Sequence, residues 1–272
     1  MNKWIKLTGG PVLLIIVLVL LAALLAQHND EIYEDTLTSN YKYDITIRCS
    51  SELQNATFYL PAPIFENESG KFEKPGKSLK FKEEDFYGRP PDWNFSIEET
   101  EHGPMLRIEA EKIRPDFRSM PVAISETGEI EGKAVEKVKE DSEETKVPRP
   151  FDFGTRLEVE PLINTRNPEG NEPLLLPKYG LKVSEKSPLV PPPEHIRPQY
   201  YDYGSRVYAS YESSPETLVE IYVSLRGSNE WWVYGWTWNE YSDRVSVKLT
   251  GPQEGWIPVG GSLITADGVY MD

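Results

Sequence analysis

Forty-four acidic residues and three histidines are the raw material for chemistry in this chain of 272 residues. Glycoside hydrolysis needs a pair of carboxyls, one kept protonated to donate and one ionised to attack or to activate water. With so many acids, no spacing singles out such a pair, so an envelope hydrolase stands only third among the readings. His28 follows an apolar run, His102 separates two strand-like segments and His195 lies among prolines. None has a metal-ligand neighbour at i+2 or i+4, and there is no His-Glu-x-x-His motif or cysteine pair. A zinc site is therefore not expected. The chain also lacks a G-x-S-x-G elbow, a phosphate-cradling glycine loop and an Asp-x-Asp-x-Asp-Gly calcium loop. No catalytic residue, cofactor or metal ligand is assigned. The single cysteine, Cys49, shares the odd-numbered face of Tyr41, Tyr43, Ile45 and Ile47 and reads as a small buried hydrophobe.

Two other kinds of residue bear on function. Asn55-Ala-Thr57, Asn67-Glu-Ser69 and Asn94-Phe-Ser96 fit the acceptor pattern for N-glycosylation, which suits an exported chain. The stretch "WWVYGWTWNEY" at 231–241 packs four tryptophans and two tyrosines into eleven positions. Such rings make either a sugar-stacking platform or the inside of a sheet. A turn centred on Ser228-Asn229 would place Trp232, Tyr234, Trp236 and Trp238 opposite Leu225, Val223, Ile221 and Val219. A second turn at Tyr241-Ser242 would add Val245, Val247 and Leu249 to the same face. Opposed residues share a face, so this register predicts that the four rings are core. It leaves Trp231 outside, as the candidate exposed aromatic contact.

The elements that position these residues begin with a run of sixteen residues without a polar side chain, Pro11 to Ala26. Counted from Trp4 it would make a helix of about 34 Å, enough to cross a bilayer. Lys3 and Lys6 precede it, and Asp30, Glu31, Glu34 and Asp35 follow. That asymmetry predicts a cytoplasmic N-terminus and an extracytoplasmic remainder. A cleaved signal peptide is the alternative, but Leu24-Leu25-Ala26 lacks the small-x-small exit, so a retained anchor is expected. Beyond residue 26, 44 acidic residues face 27 basic ones, a net charge of −17. Such a surface repels nucleic-acid phosphates and anionic lipid headgroups, which argues against nucleic acid and against peripheral lipid binding. The expected contacts are the bilayer through the helix, and an envelope protein or glycan.

Period-two alternation predicts strands at "YKYDITIRC", at "NATFYLPAP" (stopped by Pro61 and Pro63), at "WNFSIEE" and at "MLRIEAE". Four more are expected at "RVYASY", "TLVEIYVSLR", "WWVYGWTWN" and "RVSVKLT", with a weaker pair at "GWIPV" and "SLITA". Residues 126–146 are charged and thinly apolar, a short surface helix or a mobile loop. Residues 147–198 hold eleven of the 23 prolines and should form an extended crossover, with a strand at "TRLEVE". The pattern predicts a mainly β protein, an antiparallel β-sandwich behind an N-terminal transmembrane helix. Its expected organisation is a cytoplasmic N-terminus and signal-anchor at 1–27, an acidic stalk at 28–40 and an extracytoplasmic β domain at 41–272. The charged and proline-rich excursion spans 126–198 of that domain. The basic-flanked anchor with "YKYDITIRC…NATFYLPAP" and "WWVYGWTWNEYSD" resembles membrane-anchored surface proteins of archaea that have no assigned activity. The resemblance implies a cell-surface location and brings no binding residue with it. The leading expectation is a non-catalytic interaction or structural module of the envelope. A ligand-binding module, with glycans as one ligand class, comes second.

Overall fold

The computed structural model describes residues 5–64, 86–120, 145–185 and 198–270. One helix, α1 (Ile5–Thr36), precedes a protein made of antiparallel strands. The stretch Leu13–Thr36 is long and apolar enough to cross a membrane, and its large aliphatic side chains from Leu13 to Leu25 are exposed. The acidic segment is not a separate stalk. α1 runs through it to Thr36, and β1 (Thr38–Cys49) starts after the single residue Leu37.

The strands that follow are β2 (Leu53–Ile64), β3 (Asn94–Thr100), β4 (Gly103–Ile113), β5 (Phe117–Met120), β6 (Thr145–Pro148), β7 (Phe151–Val159), β8 (Leu174–Leu176), β9 (Tyr179–Val183), β10 (Gln199–Glu212), β11 (Leu218–Trp232), β12 (Trp236–Thr250) and β13 (Gln253–Gly268). Eleven of them form one sheet, in the order β3-β4-β2-β10-β13-β12-β11-β1-β7, with β8 added to β2 and β9 to β10; β5 and β6 pair separately. The mainly β, antiparallel expectation holds. In place of two packed sheets, a single large sheet curls until its ends approach each other. Phe95 on β3 lies 5.0 Å, ring to ring, from Phe153 on β7, and Tyr87 and Gly154 exchange backbone hydrogen bonds of 2.8 and 3.1 Å.

Alternation explains the core. Tyr43, Ile45, Ile47 and Cys49 on β1 oppose Leu225, Val223, Ile221 and Val219 on β11, and all eight are buried. Phe58 and Leu60 of β2, Leu106 and Ile108 of β4, and Val207 and Ala209 of β10 line the same interior. Cys49 is a packing residue, as its pattern predicts, and burial pushes its thiol up to about 11.

Several boundaries differ from the sequence expectation. Pro61 and Pro63 do not end β2, because the strand passes to a different partner there. Tyr59 to Pro61 oppose β4, whereas Ala62 to Ile64 pair with the short strand β8. The predicted pair "GWIPV" and "SLITA" is one sixteen-residue strand, β13, and the four strands expected between 206 and 250 are three. The strand expected at "TRLEVE" is present and differs only in its bounds, since β7 starts earlier, at Phe151, ends at Val159 and pairs along its whole length with β1. Residues 126–144 of the charged stretch, the Pro191-Pro192-Pro193 run, His195 and Asn67 lie outside the described residues.

The largest correction concerns the tryptophans. Arg226-Gly227-Ser228-Asn229 has turn composition, yet β11 runs straight through it to Trp232. Gly227 is required there by a close approach rather than by a turn: a Cβ on it would sit 2.3 Å from the Tyr241 ring, which lies across it from β12. The real turn is Val233-Tyr234-Gly235, closed by Trp232 opposite Trp236. Moving the turn reverses the parity. Odd residues from Val219 to Trp231 face inward, as do Asn239, Tyr241, Asp243 and Val245. Trp232, Tyr234, Trp236 and Trp238 are 40, 79, 68 and 42 % exposed, whereas Trp231 is 3 % exposed. Both the core assignment of the four rings and the exposed assignment of Trp231 are overturned.

Candidate functional site

The end of the sheet nearest α1 gathers most of the unusual chemistry. α1 presents Ile32, Tyr33 and Thr36 to β11 and turns Asp30, Glu31, Glu34 and Asp35 to solvent. The Thr36 hydroxyl accepts a hydrogen bond from the Trp232 backbone N–H at 2.9 Å and donates to the Ile32 carbonyl at 2.6 Å. One turn earlier, Tyr33 meets Trp231 edge-on, their centroids 5.7 Å apart at 75°. The helix is thus fastened to β11 at two levels.

Beneath Trp231 lies a buried amide network. Asn229 and Asn239 face each other across β11 and β12, and the Asn229 amide donates to Asn239 Oδ1 at 2.8 Å. The Asn229 side chain also accepts from Ser39 Oγ at 2.7 Å and from the Ile163 N–H at 3.0 Å, and donates to the Ile163 carbonyl at 2.9 Å. Asn239 accepts from Thr165 Oγ1 at 2.9 Å and donates to the Val269 carbonyl at 3.2 Å. These bonds satisfy polar groups that would be costly to leave unpaired. They tie β1, β11, β12, the 160–172 loop and the C-terminal residues into one block beside the helix. Sequence reasoning missed this block because it placed Asn229 in a turn.

The aromatic tip projects from the same end. Trp232 and Trp236 meet edge to face at 5.8 Å and 80°. Tyr234 holds the left-handed conformation at φ 56°, where a side chain with a Cβ is disfavoured by about 1–2 kcal/mol. Among the described residues, the exposed tryptophans all lie in this tip.

A second aromatic group crosses the outer face of the sheet. Tyr59, Tyr208 and Trp256 are in register on β2, β10 and β13, with centroids 5.4 Å apart between the first two and 5.3 Å between the last two. His102, in the β3–β4 turn, adds its ring 4.6 Å from Trp256, and Tyr179 Oη is 3.2 Å from His102 Nδ1. Thr57, Glu99, Glu101 and Ser210 border the shallow groove over these half-buried rings. Nearby, Arg107 pairs with Glu98 at 2.7 Å and also with Glu109. The Arg107 guanidinium holds the Glu98 carboxyl below its ordinary range.

Among the described residues, the most buried charges are Asp243 and Lys178, bonded at 2.8 Å. Asp243 also accepts from the Leu175 N–H at 2.8 Å and from the Tyr203 hydroxyl. Lys178 Nζ lies over the Tyr203 ring, 3.3 Å from its centroid. Burial pushes the Lys178 ammonium pKa below its usual value, and Asp243 opposes that shift. With every partner inside the protein, the cluster fastens the β8 segment to β10 and β12 and offers no reactive group to solvent.

Of the candidate acceptor asparagines, Asn55 is exposed at a bulge of β2 with φ 52°, its amide 3.5 Å from Glu212 Oε1, and Asn94 is exposed at the start of β3. Among the described residues, no group of three or more His, Cys, Asp or Glu side chains is placed to hold a metal ion. Comparison with protein-family models, curated proteins and solved structures gives no match to this chain.

Proposed function

We propose that the protein is a single-pass, membrane-anchored module of the cell envelope, with its N-terminus in the cytoplasm and its β body outside, acting by non-catalytic interaction or as a structural element. The observation that carries this reading is the junction. One residue separates a helix of membrane-crossing length from β1, and Thr36 and Tyr33 bind that helix to β11. A body built onto its helix in this way is held at a set height and orientation above a bilayer. The lysines before the apolar run and the acids after it support the orientation. Protease added to intact cells should then cut beyond residue 27 while leaving the N-terminus intact. Cleavage of the N-terminus alone would refute the orientation. A mature chain starting near Gln27, read by mass, would refute the retained anchor.

A second reading, a ligand-binding module, is favoured by the Tyr59–Tyr208–Trp256 row with its acidic and hydroxyl border. Aromatic faces flanked by carboxylates and hydroxyls suit the apolar and hydroxyl faces of a sugar. Glycan-array binding that is present in the parent and lost in Trp256→Ala would support it. Binding unchanged by that substitution would remove it.

A further inference from the structure

We infer that the hairpin tip 232–238 is an interfacial foot, whose rings sit in the headgroup layer of the bilayer that α1 crosses. The inference rests on the anchor reading above and goes beyond it, because it assigns the exposed aromatic cluster an occupant. β1 leads away from the helix, and β11 runs antiparallel to it, back toward the helix. Trp232 is hydrogen-bonded to Thr36, so Val233, Tyr234 and Gly235 lie on the helix side of that bond.

The distances agree. Thr36 lies ten positions past Ala26, the last of the apolar run, or about 15 Å of helix at ~1.5 Å per residue. Tyr234 lies two residues past Trp232, in the turn, which returns the chain by at most about 7 Å at ~3.3 Å per residue. Its backbone then stands at least about 8 Å outside the hydrocarbon edge, where the headgroup layer is about 5–8 Å thick. Side chains of the length of tyrosine and tryptophan span the remainder. Leu162, 56 % exposed and lining the same cleft as Tyr33, adds an aliphatic contact at this end.

The composition suits that layer. Tryptophan and tyrosine combine an apolar ring with a polar N–H or O–H, and this mixture favours the boundary between water and hydrocarbon. The acids of α1 face solvent at the same level and would repel anionic lipid. The contact is therefore aromatic and insensitive to salt, and the acidic surface stays consistent with the absence of charge-driven lipid binding.

The test uses the full chain in phosphatidylcholine vesicles, carrying a nitroxide at Tyr234→Cys or, for reference, at Glu216→Cys. Glu216 is exposed beyond the opposite end of β11, about 46 Å away at ~3.3 Å per residue. Cys49 is buried and leaves each label unique. The label at 234 should lose most of its collisions with an aqueous nickel chelate and gain collisions with oxygen, at low and high salt alike, while the label at 216 stays in water. If the chain floats with the vesicles but the two labels are equally wet, the foot is refuted and the anchor stands. A chain that does not float refutes both. A label at 234 that is wet in vesicles but shielded by added soluble glycan assigns the tip to a sugar, against the inference.

Discussion

The ring of Trp231 lies against Tyr33 and above the Asn229 amides, whereas that of Trp236 stands in solvent beside Trp232. Truncating the first opens a cavity and exposes a polar network, whereas truncating the second removes surface. Trp231→Ala should lower stability by about 3–5 kcal/mol, and Trp236→Ala by about 0.5 kcal/mol or less. Thermal melts of both variants beside the parent check the pair; similar melting temperatures for the two would contradict the parity described here. The composition of the aromatic stretch was legible as special, but its register was not. Ser228 and Asn229 have the chemistry of a turn, and only the ring of Tyr241, fourteen positions after Gly227, reveals that the glycine lies inside a strand. Local composition carries no information about that long-range contact.

At the scale of elements, the helix and the sheet share hydrogen bonds instead of a flexible tether. Thr36→Val keeps the shape of the side chain and removes the acceptor for the Trp232 N–H. It should cost about 0.5–1.5 kcal/mol and speed amide exchange at Trp232 more than at Val223, in the middle of the same strand. Equal exchange at both sites would mean that the bond does not hold the junction. Long strands were readable wherever alternation was strict, as in β1, β4 and β10, because one face of each packs inward. β8, β9 and the continuation of β2 past its prolines were not, since each is defined by a partner distant in sequence. The Asn229–Asn239 block escaped for the same reason: buried amides have no periodic signature, and their burial follows from the register.

For the molecule as a whole, acid response combines two opposite effects. Lys112, Arg107 and Lys248 hold the carboxyls of Glu52, Glu98 and Glu220 below their ordinary range. Their stabilisation is complete above the unfolded carboxylate pKa, near 4.3, and is lost as pH falls through the depressed folded values. Glu240 is the reverse case. Burial, only partly offset by Arg226, raises its pKa, so its charge weakens the fold at neutral pH and protonation relieves that penalty. Glu240→Gln should therefore melt above the parent at pH 7, with the gap closing toward pH 4. Below that, both proteins should lose stability as the exposed pairs protonate. A gap that widens on acidification would reverse the sign assigned to Glu240.

The meeting of β3 and β7 has a consequence for crowding. Chains anchored in one membrane share an orientation and meet edge-on in two dimensions, the geometry in which unpaired strands recruit one another into extended ribbons. Here the terminal strands curl toward each other, and Tyr87 occupies the Gly154 backbone on the outer side of β7. A neighbouring copy adding a strand along β7 would have to displace that bridge, which interrupts the outer ladder of β7 within its length.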